Sequence, residues 1–165
     1  MTNPPVLIHA FRCLVAGLLL GAAVAAAAET VTVVHVYTGW REAASFKRIS
    51  EYFDGKENTG GEILRRTHPD QRAGFYFLVR VTNPGAPGSV TCHLQIISAT
   101  NAKPVNHVFP VDLKSGGSVL NLGLTGADWP DPKANPVAWK IELKNADGSL
   151  LATEKSYLWD KPAAN

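Results

Sequence analysis

The chain has 165 residues, with 16 Lys and Arg against 14 Asp and Glu and a hydrophobic content of 45%. Those proportions belong to one folded domain and exclude a disordered, collagenous or coiled-coil chain. A net charge of +2 sets up no general field for capturing nucleic acid or acidic lipid.

Residues 1–28 read as a cleavable secretory leader. Arg12 is its single basic residue, residues 13–20 form the apolar run, and Ala26 and Ala28 supply small residues ahead of the polar pair Glu29-Thr30. The apolar stretch is too short and too rich in Ala and Gly for a spanning helix, which needs about 20 apolar residues. Cys13 opens that run, whereas a lipid-modified cysteine would close it. The expected location is therefore periplasmic or extracellular, with no membrane span once the leader is gone. The remainder holds 15 basic against 14 acidic residues.

Loss of the leader leaves Cys92 without a partner for an intrachain disulfide in an oxidising compartment. It is either a small buried hydrophobe or a thiol for an intermolecular bridge. Its place in the alternation Val90, Cys92, Leu94, Ile96 puts it on the apolar face of a strand, which favours burial.

In chain order, the β-branched run at residues 30–38 predicts a first strand. Ala43, Phe46, Ile49 and Phe53 then recur at three- and four-residue spacing ahead of Asp54-Gly55, which predicts an amphipathic helix over residues 42–53 covering one end of the domain. A short strand is expected around Ile63 and Leu64, followed by a polar loop at residues 68–72. From residue 73 the period becomes two. Phe75, Phe77, Val79 and Val81 share one face, Asn83-Pro84-Gly85 makes a turn, and the Cys92 strand follows. A turn is expected at residues 101–104, then a strand carrying His107, Phe109, Val111 and Leu113. Pro110 cannot donate to a ladder, so that strand is an edge or is broken there. Leu120, Leu122 and Leu124 mark a half-buried strand, and the proline-rich loop 128–136 leads into a closing hairpin. There Val137, Trp139, Ile141 and Leu143 face inward, and residues 146–149 turn the chain into a return strand at 150–159. The tail at 161–165 is expected to fray.

Seven to eight short strands at this spacing predict an all-β, immunoglobulin-like antiparallel β-sandwich with one short helix in the 42–53 insertion. The run Ala138-Trp139-Lys140-Ile141-Glu142-Leu143, with Asp147-Gly148 and Leu150-Leu151-Ala152, resembles the closing hairpin of bacterial extracytoplasmic immunoglobulin- or fibronectin-III-like domains. That resemblance covers about 20 residues and implies a fold, since such sandwiches serve many functions.

No combination of residues makes a strong catalytic or metal motif. His35, His68, His93, His107 and Cys92 lack ligand spacing, and neighbours Cys92 and His93 fall on opposite faces of a strand, so no metal and no cofactor are expected. Ser118 lacks a nucleophile-elbow frame, and Asp128 and Asp131 sit in a loop where carboxylates usually make turns. Two features suggest binding. Arg65, Arg66, His68 and Arg72 offer several donors to an anion, unless Glu57, Glu62 and Asp70 pair with them. Trp40 and Trp129 flank turns and would stack on a sugar or a partner's apolar face, unless they lid the sandwich. The expected function is a non-enzymatic binding module for a protein or glycan. The alternatives are a structural subunit of an envelope assembly and, third, a small hydrolase; the oligomeric state is left open.

Overall fold

The computed structural model describes residues 30–160, so the expected leader and the 161–165 tail lie outside the described residues. Eight strands form two four-stranded sheets, ordered β1-β3-β6-β2 and β5-β4-β7-β8. They are β1 (Thr32–Arg41), β2 (Leu64–Arg66), β3 (Gly74–Asn83), β4 (Gly88–Ser98), β5 (Asn101–Leu113), β6 (Gly116–Thr125), β7 (Ala138–Lys144) and β8 (Leu150–Lys155). This is the all-β, immunoglobulin-like sandwich that the alternation predicts. The chain passes between sheets from β3 to β4, from β5 to β6 and from β6 to β7, while β4-β5 and β7-β8 are hairpins. One pairing departs from the antiparallel rule. The three-residue β2 lies parallel to β6 at Asn121–Gly123, having come from the connection between β1 and β3.

Period two explains the core. Phe75, Phe77, Val79 and Val81 of β3 stand opposite Leu124, Leu122, Leu120 and Ser118 of β6 in register, and the apolar members pack against Cys92, Leu94, Phe109, Val111, Ile141 and Leu143 of the other sheet. Each fully buried large apolar side chain contributes about 1.5–3 kcal/mol relative to exposure. Cys92 is among these packed residues and is wholly buried, so its thiol serves as core and burial pushes its pKa up to about 12.

Several boundaries differ from expectation. The single helix over residues 42–53 is replaced by a 3₁₀ turn at Ala43–Phe46 and a one-turn helix, α1 (Glu51–Asp54), neither burying any residue. Ile49 and Phe53, half of the predicted apolar stripe, are 79% and 86% exposed. The stripe finds no apolar surface because the sheets already close over their own side chains. Phe46 alone turns inward, and packing overrides a middling helix propensity. The β4-β5 turn falls on Ala99 and Thr100 rather than on 101–104, and β5 begins at Asn101, carrying both Pro104 and Pro110. It is an edge strand, unbroken at Pro110, as a residue without an N–H requires. Val137 precedes β7 and is exposed. Trp139 meets the Phe77 ring at 6.0 Å but is half-buried at the core margin. Among the described residues no helix is long and apolar enough to cross a membrane.

Candidate functional site

The outer face of the first sheet is where the 42–72 insertion lands. Tyr76 points away from the core yet is 1% exposed, because Phe46 packs on it at 4.9 Å and its Oη accepts from Arg66 Nε (2.9 Å) and donates to the Arg72 carbonyl (2.7 Å). Burial raises the pKa of this phenol. Register places Gly39 and Gly123 on either side of Tyr76. A side chain at Gly123 would collide with the ring, so the glycine is the seat of the aromatic residue.

Around this anchor the sequence-nominated arginines close into ion pairs. The Arg66 side chain is 5% exposed and binds Glu57 through two nitrogens at 2.7 and 3.1 Å. Arg72 binds Glu51 at 2.5 Å and reaches Glu57 at 3.5 Å. The hydrogen bond from Arg72 holds the Glu51 carboxyl below its ordinary range, and that from Arg66 does the same for Glu57. Glu51 also accepts the backbone N–H groups of Arg48 and Asn58, knitting the insertion together with polar bonds in place of an apolar stripe. The remaining nominated side chains have partners as well: Arg65 Nη2 lies 3.5 Å from Asp112, and His68 Nε2 lies 3.2 Å from Asp128. Of the carboxylates expected to neutralise this loop, Glu57 does so; the others that do are Glu51, Asp112 and Asp128 rather than Glu62 and Asp70. Arg66 and Arg72 therefore have a structural task, and they do not present open forks to an anion.

The two tryptophans are also engaged. Trp129 is 6% exposed, its ring 5.4 Å from Phe75 and its Nε1–H donating to the Ala134 carbonyl at 3.3 Å. It lids one end of the sandwich and shows no stacking face to solvent. Trp40 is half-buried against the core, with its Nε1–H on Glu42 at 3.0 Å. A buried threonine that the sequence analysis did not single out secures the loop beneath. Thr125 Oγ1 accepts the His68 N–H and donates to the His68 carbonyl, while Thr67 Oγ1 accepts the Thr125 N–H.

Concave surface lies elsewhere. A notch of about 500 Å³ opens between the lead-in to β2, the first half of β6 and the end of β5. Six consecutive β6 residues, 117–122, line it, together with Ile63, Leu78 and Val111. Arg41, Arg65 and Lys114 stand against Glu62 and Asp112 on its walls. Arg65 is thus the nominated binding residue that belongs to the notch. The Ser118 Oγ in its wall is buried and has no hydrogen-bond partner, a state that ordinarily costs about 1–3 kcal/mol. Among the described residues no imidazole or carboxylate hydrogen-bonds to this hydroxyl. A second hollow of about 540 Å³, between β2 and β5, takes in His107 and Asp128. Burial lowers the His107 pKa, and the Asp128 charge opposes that shift. Among the described residues no group of three or more His, Cys, Asp or Glu is arranged to hold a metal ion.

The notch has no local signal in the sequence: it follows from a three-residue strand that arrives in parallel and covers only Asn121–Gly123 on that side of β6. A scan against protein-family models finds no match to this chain, and a search of the curated proteins finds none either.

Proposed function

We propose that this chain is an exported, non-enzymatic β-sandwich that binds a protein partner, with the notch beside β6 as its recognition surface. The reading is supported chiefly by one observation. A notch of about 500 Å³, with apolar lining at Ile63, Leu78 and Val111 beside charged residues, stays open next to β6, whereas the nominated arginines and tryptophans outside the notch are occupied within the domain. A rigid pair of sheets carrying a concave edge of mixed polarity fits recognition better than turnover, because a binding site needs complementary shape and no activated group.

A small-molecule fragment screen by two-dimensional NMR tests this reading on the full chain. Fragments should move the amide resonances of Ser118, Asn121 and Ile63 together. Hits confined to other surfaces, or none at all, would overturn it.

A further inference from the structure

The notch follows a strand edge, and that edge is free. On one side β6 pairs with β3 along its whole length, from Gly116 to Thr125; on the other β2 covers Asn121–Gly123 alone. The Gly123 carbonyl accepts the Thr67 N–H on the β2 side. Backbone groups alternate sides along a strand, so those of Asn121, Val119 and Gly117 point the same way as Gly123's. Beyond β2, Val119 and Gly117 therefore each hold out an N–H and a C=O with no strand beside them among the described residues.

The other sheet edges are blunted. β5 carries Pro104 and Pro110, β1 bulges at Val34 between Val33 and His35, and β8 is six residues long. These are the usual guards against added strands. The first half of β6 carries no proline and pairs with β3 without a bulge. Gly117 has nothing within 4 Å of where a Cβ would stand, and the Val119 side chain is half-exposed on the outer face.

We propose, building on the reading of the notch as a binding surface, that this half of β6 accepts an extended segment of another protein as an added strand, in line with β2. The occupant would be an acidic peptide. Three cations, Arg41, Arg65 and Lys114, face two carboxylates, Glu62 and Asp112, on the notch walls, so the site favours a negative strand, and two copies of the same positive edge repel each other. Main-chain bonds to Gly117 and Val119 supply affinity, and the apolar lining at Ile63, Leu78 and Val111 takes alternate side chains.

Panning a phage-displayed library of random decapeptides on the full chain tests this. The selected peptides should alternate acidic with β-branched or aromatic residues, and binding should slow amide exchange at Gly117 and Val119. Val119→Pro removes an N–H that the β3 ladder does not use, so it should leave the circular dichroism unchanged and weaken binding by at least about tenfold, while Val119→Ala binds as the parent does. Should Val119→Pro not fold, the exchange pattern in the parent protein decides alone. Selection of no peptide, selection of basic peptides, protection at other amides, indifference to Val119→Pro, or occupation of the edge by a second copy would overturn the proposal. Fragment binding in the notch without peptide protection of Gly117 and Val119 would sink the added strand and leave the binding reading standing. Failure of both would sink the two together.

Discussion

The contact between Tyr76 and Gly123 shows how one missing side chain organises a surface. A Cβ built on Gly123 would stand 2.5 Å from the Tyr76 ring, well inside van der Waals distance, and the ring cannot retreat. Phe46 packs on it, while Arg66 and the Arg72 carbonyl hold its hydroxyl. Alanine would ordinarily be neutral or better than glycine inside a strand, so the sign of the effect rests on this collision. Gly123→Ala should destabilise the protein by about 1–3 kcal/mol through overpacking and lower the thermal midpoint by several degrees. An unchanged or raised midpoint would show that the ring has another place to go.

The insertion between β1 and β3 is an element held by charge. Its helical turn, α1, buries nothing, and its attachment runs through Glu51 and Glu57 to Arg72 and Arg66. Both carboxyls have folded pKa values below their ordinary 4.5 because the arginines favour the ionised form. Their contribution is therefore fully present above about pH 4.5 and is lost as pH falls through the depressed folded values. In an NMR titration the amides of Arg48 and Asn58, which donate to Glu51, should shift and broaden below pH 4.5 while the β3-β6 ladder amides hold. Glu57→Gln, which removes one charge from the network, should bring the change to higher pH. Simultaneous loss of both sets of amides would mean that the insertion and the sheets unfold as one unit.

At the scale of the whole molecule, the edges decide how the domain meets other proteins. One side of the sandwich brings β1 near β8 and the other brings β5 near β6, and the prolines, the bulge and the shortness of β8 guard β5, β1 and β8, leaving the first half of β6 open. A domain protected in this way should stay monomeric, and sedimentation velocity should give a single concentration-independent species; reversible dimerisation at moderate concentration would favour the rival reading of an assembly subunit.

Most of the fold could be read from the residues because strand pattern is local. Alternate positions face one layer, so Phe75 to Val81 and Leu120 to Leu124 announced their strands and their faces, and Pro110 announced an edge. Three-residue spacing in the insertion misled for the same reason: it reports what a helix could bury and says nothing about whether an apolar surface awaits it. Which charges meet was beyond the pattern, since Arg66 finds Glu57, and Arg65 finds Asp112, only after the chain has doubled back. The notch belongs to the same class. It opens because β2, a strand too short to carry a period, settles in parallel against only part of β6. Periodicity sets which way each side chain points along its own strand, whereas the neighbours across a sheet edge are chosen by packing between segments far apart in the chain.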